Sequence, residues 1–369
     1  MSTTTAAPKL KWTTDERIIK SIRNAFGHLP ERPPLLIPQD RRECVRIAAT
    51  ADAVQAQKLT DELFGSNPMF AGGEAMHSSQ GFEMIETSLT SAPDGNNIAI
   101  SIVRQKKEEE QKEKNIVIYL HGGGMAKASC FHGNFQTFAR MIASHEVIVV
   151  LVDFRNSITP ARPGDDISAY PGGLNDCISA VRWVFANRTF VGGGSTSRIV
   201  LAGESGGGNL SIATALKLKD SNELSFVDGI YAMCPFISGK YPNKKYPSTK
   251  KYDGFVLTSA SMQTFVVGYG DDCRHDKFAW PSHCTIEDVR GLCPIVVSMN
   301  EFDPLLDEGM DFYRKCSAAG VDARGLVLSG STHGCDNYFP GTAPRLARAT
   351  ACAVASFAKG EESGSKSKI

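Results

Sequence analysis

The sequence predicts an α/β fold, in which helices cover both faces of a mostly parallel sheet of eight strands. Short apolar runs recur along the chain, and stretches with helical spacing of apolar residues separate most of them. In such a fold, helices cover both faces of the strands, so each strand is a near-continuous apolar run, as these segments are. The eight runs lie at 84–89, 97–104, 116–120, 147–153, 199–202, 229–234, 295–299 and 325–328.

Helices are predicted before and between these strands. Thr13 to Glu16 form a cap signal for a helix through Ile18 and Ile22, and apolar spacing predicts one long helix over 41–63, followed by a loop. Pro-Asp-Gly-Asn at 93–96 indicates a hairpin between the first two strands. Further helices are predicted around 135–144, 174–185, 210–218, 259–267, 309–319 and 345–357.

Composition excludes several classes of partner. Lysine plus arginine equals aspartate plus glutamate at 40 each, so charge gives no reason to expect nucleic acid or an anionic membrane. No apolar run has the length of a membrane span, and residues 1–20 lack the apolar core of a secretory signal. Ten cysteines without a CxxC pair predict reduced thiols. We therefore expect a cytoplasmic protein.

A serine motif follows the fifth apolar run. Gly-Glu-Ser-Gly-Gly at 203–207 lies between that run and a predicted helix. G-x-S-x-G in a strand-to-helix turn is typical of a nucleophile elbow, which raises the serine hydroxyl above the sheet. The motif predicts Ser205 as a nucleophile, and the following helix directs its N-terminus at developing negative charge.

A nucleophilic serine needs a base and a group that orients the base, and such groups gather where parallel strands end. His333 follows the last apolar run in a Gly/Ser-rich loop, which predicts it as the base. Glu301, Asp303 and Asp307 compete for the third role. Asp303 is favoured because it ends the strand before a proline, whereas Asp307 would start the next helix.

A glycine run follows the third strand, as His-Gly-Gly-Gly at 121–124. Backbone N–H groups in such a run face a carbonyl oxygen with no Cβ in the way, so it predicts an oxyanion hole completed by the N–H of Gly206. His121 is interpreted as an anchor of this loop. Met125, Phe131 and Tyr338 are candidates for a substrate pocket, and core packing explains each of them equally well.

No metal site and no cofactor are predicted. Cys130 with His132, and His275 with His283, lack the spacing of zinc ligands. The G-x-G-x-x-G spacing of a dinucleotide site is absent from the glycine-rich stretch 203–208.

Together these motifs resemble the hormone-sensitive-lipase-like family of α/β-hydrolases, the bacterial type IV esterases. Glu204 and Gly206 differ from the commoner Asp and Ala of that family. The matching stretches are His-Gly-Gly-Gly at 121–124, Val-Asp-Phe-Arg at 152–155, Tyr-Pro-Gly-Gly at 170–173, Gly-Glu-Ser-Gly-Gly at 203–207, Asp-Pro-Leu-Leu-Asp-Glu-Gly at 303–309 and His-Gly at 333–334.

The resemblance implies hydrolysis of carboxylic esters through an acyl-enzyme. It assigns Ser205, Asp303 and His333 as the triad, and it assigns the oxyanion donors as Gly123, Gly124 and Gly206. It also implies a small-molecule ester substrate of short to medium chain length, and it allows a homodimer. An amide hydrolase or deacylase remains an alternative because the same triad cleaves both bonds, as does a non-catalytic receptor on this fold.

The resemblance also organises the chain into domains. Family members carry a lid built from an N-terminal helical segment and an insertion after the sixth strand. We therefore expect cap segments at 1–83 and 239–284, a catalytic domain at 84–238 and 285–360, and a disordered tail at 361–369.

Overall fold

Eight strands form the centre of the molecule in the computed structural model, which describes residues 10–29, 36–73, 76, 78–106, 113–270 and 272–361. They are β1 (Phe82–Thr90), β2 (Asn97–Gln105), β3 (Ile116–Leu120), β4 (Ile148–Asp153), β5 (Ile199–Glu204), β6 (Gly229–Met233), β7 (Ile295–Phe302) and β8 (Ala323–Thr332). Their order in the sheet is β1-β2-β4-β3-β5-β6-β7-β8. β2 is antiparallel to β1 and β4, and every other pair is parallel. The predicted fold class is confirmed.

The described residues also form thirteen α-helices. Those before the sheet are α1 (Lys20–Phe26), α2 (Arg41–Ala48), α3 (Ala51–Ser66) and α4 (Pro68–Ala71). The helices after β3 are α5 (Gly133–Ala143), α6 (Gly172–Ala186), α7 (Arg188–Val191), α8 (Gly206–Asp220), α9 (Ser248–Lys251), α10 (Ser259–Tyr269), α11 (Ile286–Val289), α12 (Leu306–Ala318) and α13 (Pro344–Lys359).

Successive side chains of each strand point to opposite faces of the sheet, and different helices cover the two faces. In β3, Ile116, Ile118 and Leu120 join a core that includes residues of α6, α8 and α12. Val117 and Tyr119 point to the opposite face, where α5 and α13 cover them. This alternation follows from the two-residue period of a strand. It explains why β3, buried on both sides, contains no charged residue.

The N-terminal helices differ from the predicted ones. The first α-helix begins at Lys20, after a short 3₁₀ turn at Lys11–Thr14. The long helix predicted over 41–63 is instead two helices, α2 and α3. They are separate because α2 ends before Thr50, which caps the start of α3 by accepting a hydrogen bond from Ala53 N. The loop predicted to follow contains α4. Most of the predicted tail, from 362 onward, lies outside the described residues.

The N-terminal helices and the insertion between β6 and β7 meet above the carboxyl ends of the strands. Cys44 of α2 contacts the carbonyl of Thr264 in α10, with 3.7 Å between sulfur and oxygen. An aromatic cluster joins the N-terminal segment to residues that follow β7 and β8. Within the part of the chain that the structure describes, no helix has both the length and the apolar character needed to cross a membrane.

Candidate active site

Ser205 occupies a sharp turn between β5 and α8. Its φ of 55° and ψ of −116° are unusual for a residue other than glycine. Conformations of this kind cost about 1–3 kcal/mol and cluster at functional sites. The backbone on both sides holds the turn, since Ser205 N donates to Met233 O at 2.9 Å and Ser205 O accepts from Phe236 N at 3.0 Å. The predicted elbow geometry is therefore present around this serine.

His333 and Asp303 lie in hydrogen-bonding contact after β8 and β7. The distance between His333 Nδ1 and Asp303 Oδ2 is 2.7 Å, and both side chains are buried. Because a carboxylate only accepts, Nδ1 carries the proton in this pair and Nε2 of the neutral ring is left as an acceptor. The other Asp303 oxygen accepts from Leu305 N at 2.9 Å, which fixes the carboxylate orientation.

The two competing acids have other partners. Glu301 accepts a hydrogen bond from Gly330 N, and Asp307 accepts one from Ser248 N, both at 2.7 Å. Of the three candidates, Asp303 is the one hydrogen-bonded to His333. The roles of these residues in a reaction stay predictions.

A buried polar network, not foreseen from the sequence, supports the His333 loop. Asn300 Nδ2 donates to Asp336 Oδ1 at 3.0 Å, while Asn300 Oδ1 accepts from Gly334 N at 3.2 Å. Thr350 donates to the other oxygen of Asp336 at 2.9 Å, and burial raises the pKa of this carboxyl. The network connects the end of β7, the base loop and α13. Its signal in the sequence is weak, because isolated Asn and Asp residues are common in loops.

The predicted oxyanion loop lies against the elbow. A Cβ placed on Gly206 would come within 2.6 Å of Met125 N and 2.8 Å of Gly124 N, so only glycine allows this approach. Gly124 itself has a φ of 66°, in the left-handed region that favours glycine. The loop backbone and Gly206 are thus close enough for their amides to converge on one substrate oxygen.

His121 has the surroundings of an anchor. Its ring is fully buried and stacks on Phe154 with centroids 4.2 Å apart, and its Nδ1 donates to Gly122 O at 2.7 Å. Burial lowers the pKa of His121 to about 3, so the ring is neutral at physiological pH.

A cavity of about 620 Å³ opens above Ser205 and His333. Its lining includes Gly123 and Gly124, the predicted oxyanion donors, and Tyr338, a candidate pocket residue. The remaining walls come mainly from the N-terminal helices and the insertion, which sequence reasoning did not identify as pocket residues; they include Trp12, Phe26, Phe64, Phe255, Val256 and Phe265.

Two predicted pocket residues do not line this cavity. Met125 is 1% exposed and packs in the core on the sheet face that α6 covers. Phe131 packs on the opposite core beside Arg162, whose guanidinium lies 5.2 Å from the ring centroid. Both take the core-packing alternative at this cavity, because nearness along the chain does not determine the direction of a side chain.

Among the described residues, one group has the composition of a metal site, namely Cys234, Asp303 and His333. The mutual hydrogen bond of Asp303 and His333 accounts for two of its three members. We assign no metal to it.

Comparison with known proteins gives a consistent result. A family model for the α/β-hydrolase fold matches residues 117–337. Carboxylesterase NlhH of Mycobacterium tuberculosis is 30% identical over 250 residues, which are 66% of this chain and 72% of that relative. The solved structure of esterase Est22 has a TM-score of 0.87 and 35% identity, covering 94% of this chain and 99% of the other.

A second solved structure is also similar to this chain. Brefeldin A esterase, described as a bacterial homologue of human hormone-sensitive lipase, has a TM-score of 0.83 and 30% identity, and the match covers 95% of each chain. The chain therefore belongs to the α/β-hydrolase-fold family, among the hormone-sensitive-lipase-like carboxylesterases.

Proposed function

We propose that this chain is a serine carboxylesterase that hydrolyses short- to medium-chain carboxylic esters through an acyl-enzyme. The observation that carries the proposal is the combination of a strained Ser205 and a hydrogen-bonded His333–Asp303 pair on one apolar cavity. The esterases among its relatives support the ester reading over an amide hydrolase or a receptor.

In the proposed reaction, His333 Nε2 takes the hydroxyl proton of Ser205 while Oγ attacks the ester carbonyl carbon. Backbone N–H groups of Gly123, Gly124 and Gly206 stabilise the negative oxygen of the tetrahedral intermediate. Asp303 stabilises the imidazolium, which then protonates the departing alcohol. Water, activated by the same histidine, attacks the acyl-enzyme and releases the acid.

The cavity supports a small-molecule substrate. Its volume of about 620 Å³ lies within the usual range of ligand pockets, and its walls are mostly apolar. We propose that 1–83 and 239–284 act as the cap, because side chains from both segments complete these walls. Nucleic acid has no part in this proposal, and a homodimer remains compatible with it.

We propose a cytoplasmic location on separate grounds. The ten cysteines of the chain include no CxxC pair, and all but Cys293 and Cys352 are buried. Scattered, mostly buried cysteines in this number are typical of a reducing compartment.

The test is hydrolysis of p-nitrophenyl esters with acyl chains of about two to sixteen carbons, which spans the pocket sizes that such cavities offer. Wild type and Ser205→Ala are compared side by side, with circular dichroism to verify that both are folded. We expect turnover to be fastest for the shorter chains and lost in Ser205→Ala. A folded wild type without activity on any ester would reject the proposal, and activity on acyl anilides alone would favour the amide hydrolase.

A further inference from the structure

Glu204, the residue before the proposed nucleophile, has a buried carboxyl group that contacts two other parts of the site. It is 1% exposed. Its Oε1 accepts a hydrogen bond from Gly122 N at 2.6 Å, and its Oε2 accepts one from the hydroxyl of Tyr119. One side chain thus links the elbow, the first glycine of the oxyanion loop and the end of β3.

The register of the sheet explains this contact. β3 and β5 are parallel neighbours, and Leu120 pairs with Gly203. Glu204 therefore lies one residue beyond the last pair, level with the point where the chain leaves β3 for the oxyanion loop. The Tyr119 ring is fixed in the core beside Phe138, with centroids 5.8 Å apart, so its hydroxyl is a rigid partner.

The length of the side chain matters for the bridge. Aspartate, the commoner residue here in the family that the sequence resembles, is shorter by one methylene. From the same backbone position its oxygens would lie farther from Gly122 N and the Tyr119 hydroxyl, unless the loop or the strand moved.

We propose that Glu204 is a positioning residue that holds the oxyanion loop against the nucleophile elbow. The inference rests on the proposed function. Oxyanion stabilisation requires donors fixed within a few tenths of an ångström of the developing negative oxygen. Gly124 N and Gly206 belong to the two elements that Glu204 joins, so the carboxyl acts on the reaction through their spacing and touches no reacting atom.

The protonation state of Glu204 fits this role. Burial raises its pKa to about 8, and the ionisable groups that face it are Tyr119, Cys234 and Asp336. When the carboxyl is protonated on Oε2, its carbonyl oxygen Oε1 still accepts from Gly122 N, and the Oε2 hydroxyl donates to the Tyr119 oxygen instead of accepting from it. It also places no full negative charge behind the oxyanion.

The experiment compares Glu204→Ala, Glu204→Gln and Tyr119→Phe. Tyr241→Phe is the matched control, because the Tyr241 hydroxyl also donates to a buried glutamate, Glu308, but away from the oxyanion loop. Two rates are measured on each folded variant. The first is hydrolysis of p-nitrophenyl butyrate, resolved into kcat and KM.

The second rate is covalent labelling by an alkyl fluorophosphonate. In that step Ser205 Oγ forms a bond to phosphorus, fluoride leaves, and the hydroxyl proton passes to His333. The phosphoryl oxygen occupies the oxyanion hole, so labelling reports the hole whether or not esters are the natural substrates.

We expect Glu204→Ala to lower kcat and the labelling rate about 100-fold with KM changed less than about threefold, the size of effect that a misplacement near 1 Å causes. Glu204→Gln keeps an acceptor for Gly122 N, so its kcat and labelling rate should be at least about tenfold higher than those of Glu204→Ala. Tyr119→Phe should slow both rates about fivefold, and Tyr241→Phe less than twofold.

Equal losses in the Ala and Gln variants, or a change confined to KM, would overturn the proposal. If Glu204→Ala does not fold, Glu204→Gln and Tyr119→Phe decide it, and normal kcat and labelling rate in both overturn it. Wild type that is labelled but hydrolyses no ester would reject the proposed function while the labelling rates still test Glu204. Wild type that resists labelling would overturn both.

Discussion

Three carboxylates at and just beyond the end of β7 differ in their hydrogen-bond partners, and this difference should govern their importance in catalysis. Asp303 contacts the imidazole of His333, whereas Glu301 and Asp307 accept from backbone amides elsewhere. A carboxylate that is hydrogen-bonded to the imidazole orients the base and stabilises its charged form. A carboxylate that accepts from a backbone amide elsewhere fixes a loop.

We expect Asp303→Asn to lower kcat by about 10³- to 10⁴-fold, since the amide no longer holds the ring in the tautomer that accepts the serine proton. Glu301→Gln and Asp307→Asn should lower it less than about tenfold, because each loses one loop contact. Steady-state kinetics on one p-nitrophenyl ester measures all three. A loss in Asp307→Asn as large as that in Asp303→Asn would transfer the third role to Asp307.

Burial of Glu204 should also change stability with pH. Its pKa in the folded chain, about 8, lies above its ordinary value of 4.5. The folded state therefore keeps a proton that the unfolded chain releases in this interval. The contribution of this group to the free energy of unfolding is fully present below pH 4.5 and decreases as the pH rises through 8, by at most about 1.4 kcal/mol per pH unit.

Glu204→Gln removes this titration, so the stability difference between wild type and variant should shift in favour of the variant between pH 5 and pH 8. Urea unfolding at several pH values measures it. Glu308, whose pKa burial raises to about 7, titrates in both proteins and cancels in the difference. A difference that is constant over this range would mean that Glu204 is ionised throughout.

At the scale of elements, α10 of the insertion packs directly on the oxyanion loop. The ring of Phe265 lies where a Cβ on Gly124 would be, with 2.5 Å to the nearest ring carbon. Further along the same helix, Val267 packs in one small core with Ala126 and Ile158. The loop is thus enclosed between the elbow below it and α10 above it.

We expect Gly124→Ala to lower kcat by about 100-fold, because the new methyl group displaces either the loop or Phe265 and the backbone is strained. Phe265→Ala in the same chain should recover part of that loss. Gly291→Ala is the control, since Gly291 has a similar φ of 73° with no atom within 4 Å of the added Cβ. Equal kinetic effects of the two glycine variants would show that contact with α10 is unimportant.

The sequence predicts best those elements whose apolar residues are the ones that the fold buries. All eight strands lie where apolar runs predict them, and five of them, β1, β2, β5, β7 and β8, extend beyond the predicted run. The helix predicted over 41–63 is wrong because Ile47, Val54 and Leu59 have helical spacing yet are more than two-fifths exposed. Their periodicity does not mark a buried face, and the cap at Thr50 is the more informative signal.

At the scale of the whole molecule, an aromatic cluster connects the N-terminal helices to the segment that follows β8. Phe70 of α4 contacts Phe26, Phe64 and Phe339 edge-on, with centroids 5.0 to 5.9 Å apart. Phe339 follows the His333 loop, and Phe64 and Phe339 also line the cavity. The same rings therefore contribute to stability and to the shape of the pocket.

Phe70→Ala should destabilise the fold by about 3–5 kcal/mol, the usual cost of removing a buried phenylalanine. It should also raise KM more than it lowers kcat, since the wall of the cavity loosens. Phe190→Ala is the matched control, because Phe190 is 53% exposed, and it should cost less than about 1 kcal/mol. Urea unfolding and steady-state kinetics measure both. Similar destabilisation by the two variants would exclude a special role for the cluster.

The candidate site could be predicted as far as short motifs extend. Ser205, His333 and the glycine run follow strand ends, where the parallel sheet itself brings them together. The pocket could not be predicted in this way. Its walls come from segments about 200 residues apart in sequence, such as Phe64 and Phe265. Tertiary packing, including that of α2 on α10, brings these segments to one cavity.

The contact of Phe265 with Gly124 bears on how such enzymes diversify. A cap is often regarded as an exchangeable module that selects substrates while the hydrolase beneath it stays constant. Here the insertion also forms one side of the oxyanion loop, so a transplanted cap without a ring at this position would leave the loop less supported. We therefore expect substitutions along this helix to change substrate range and turnover rate together, and a grafted insertion to need Phe265 or an equivalent ring.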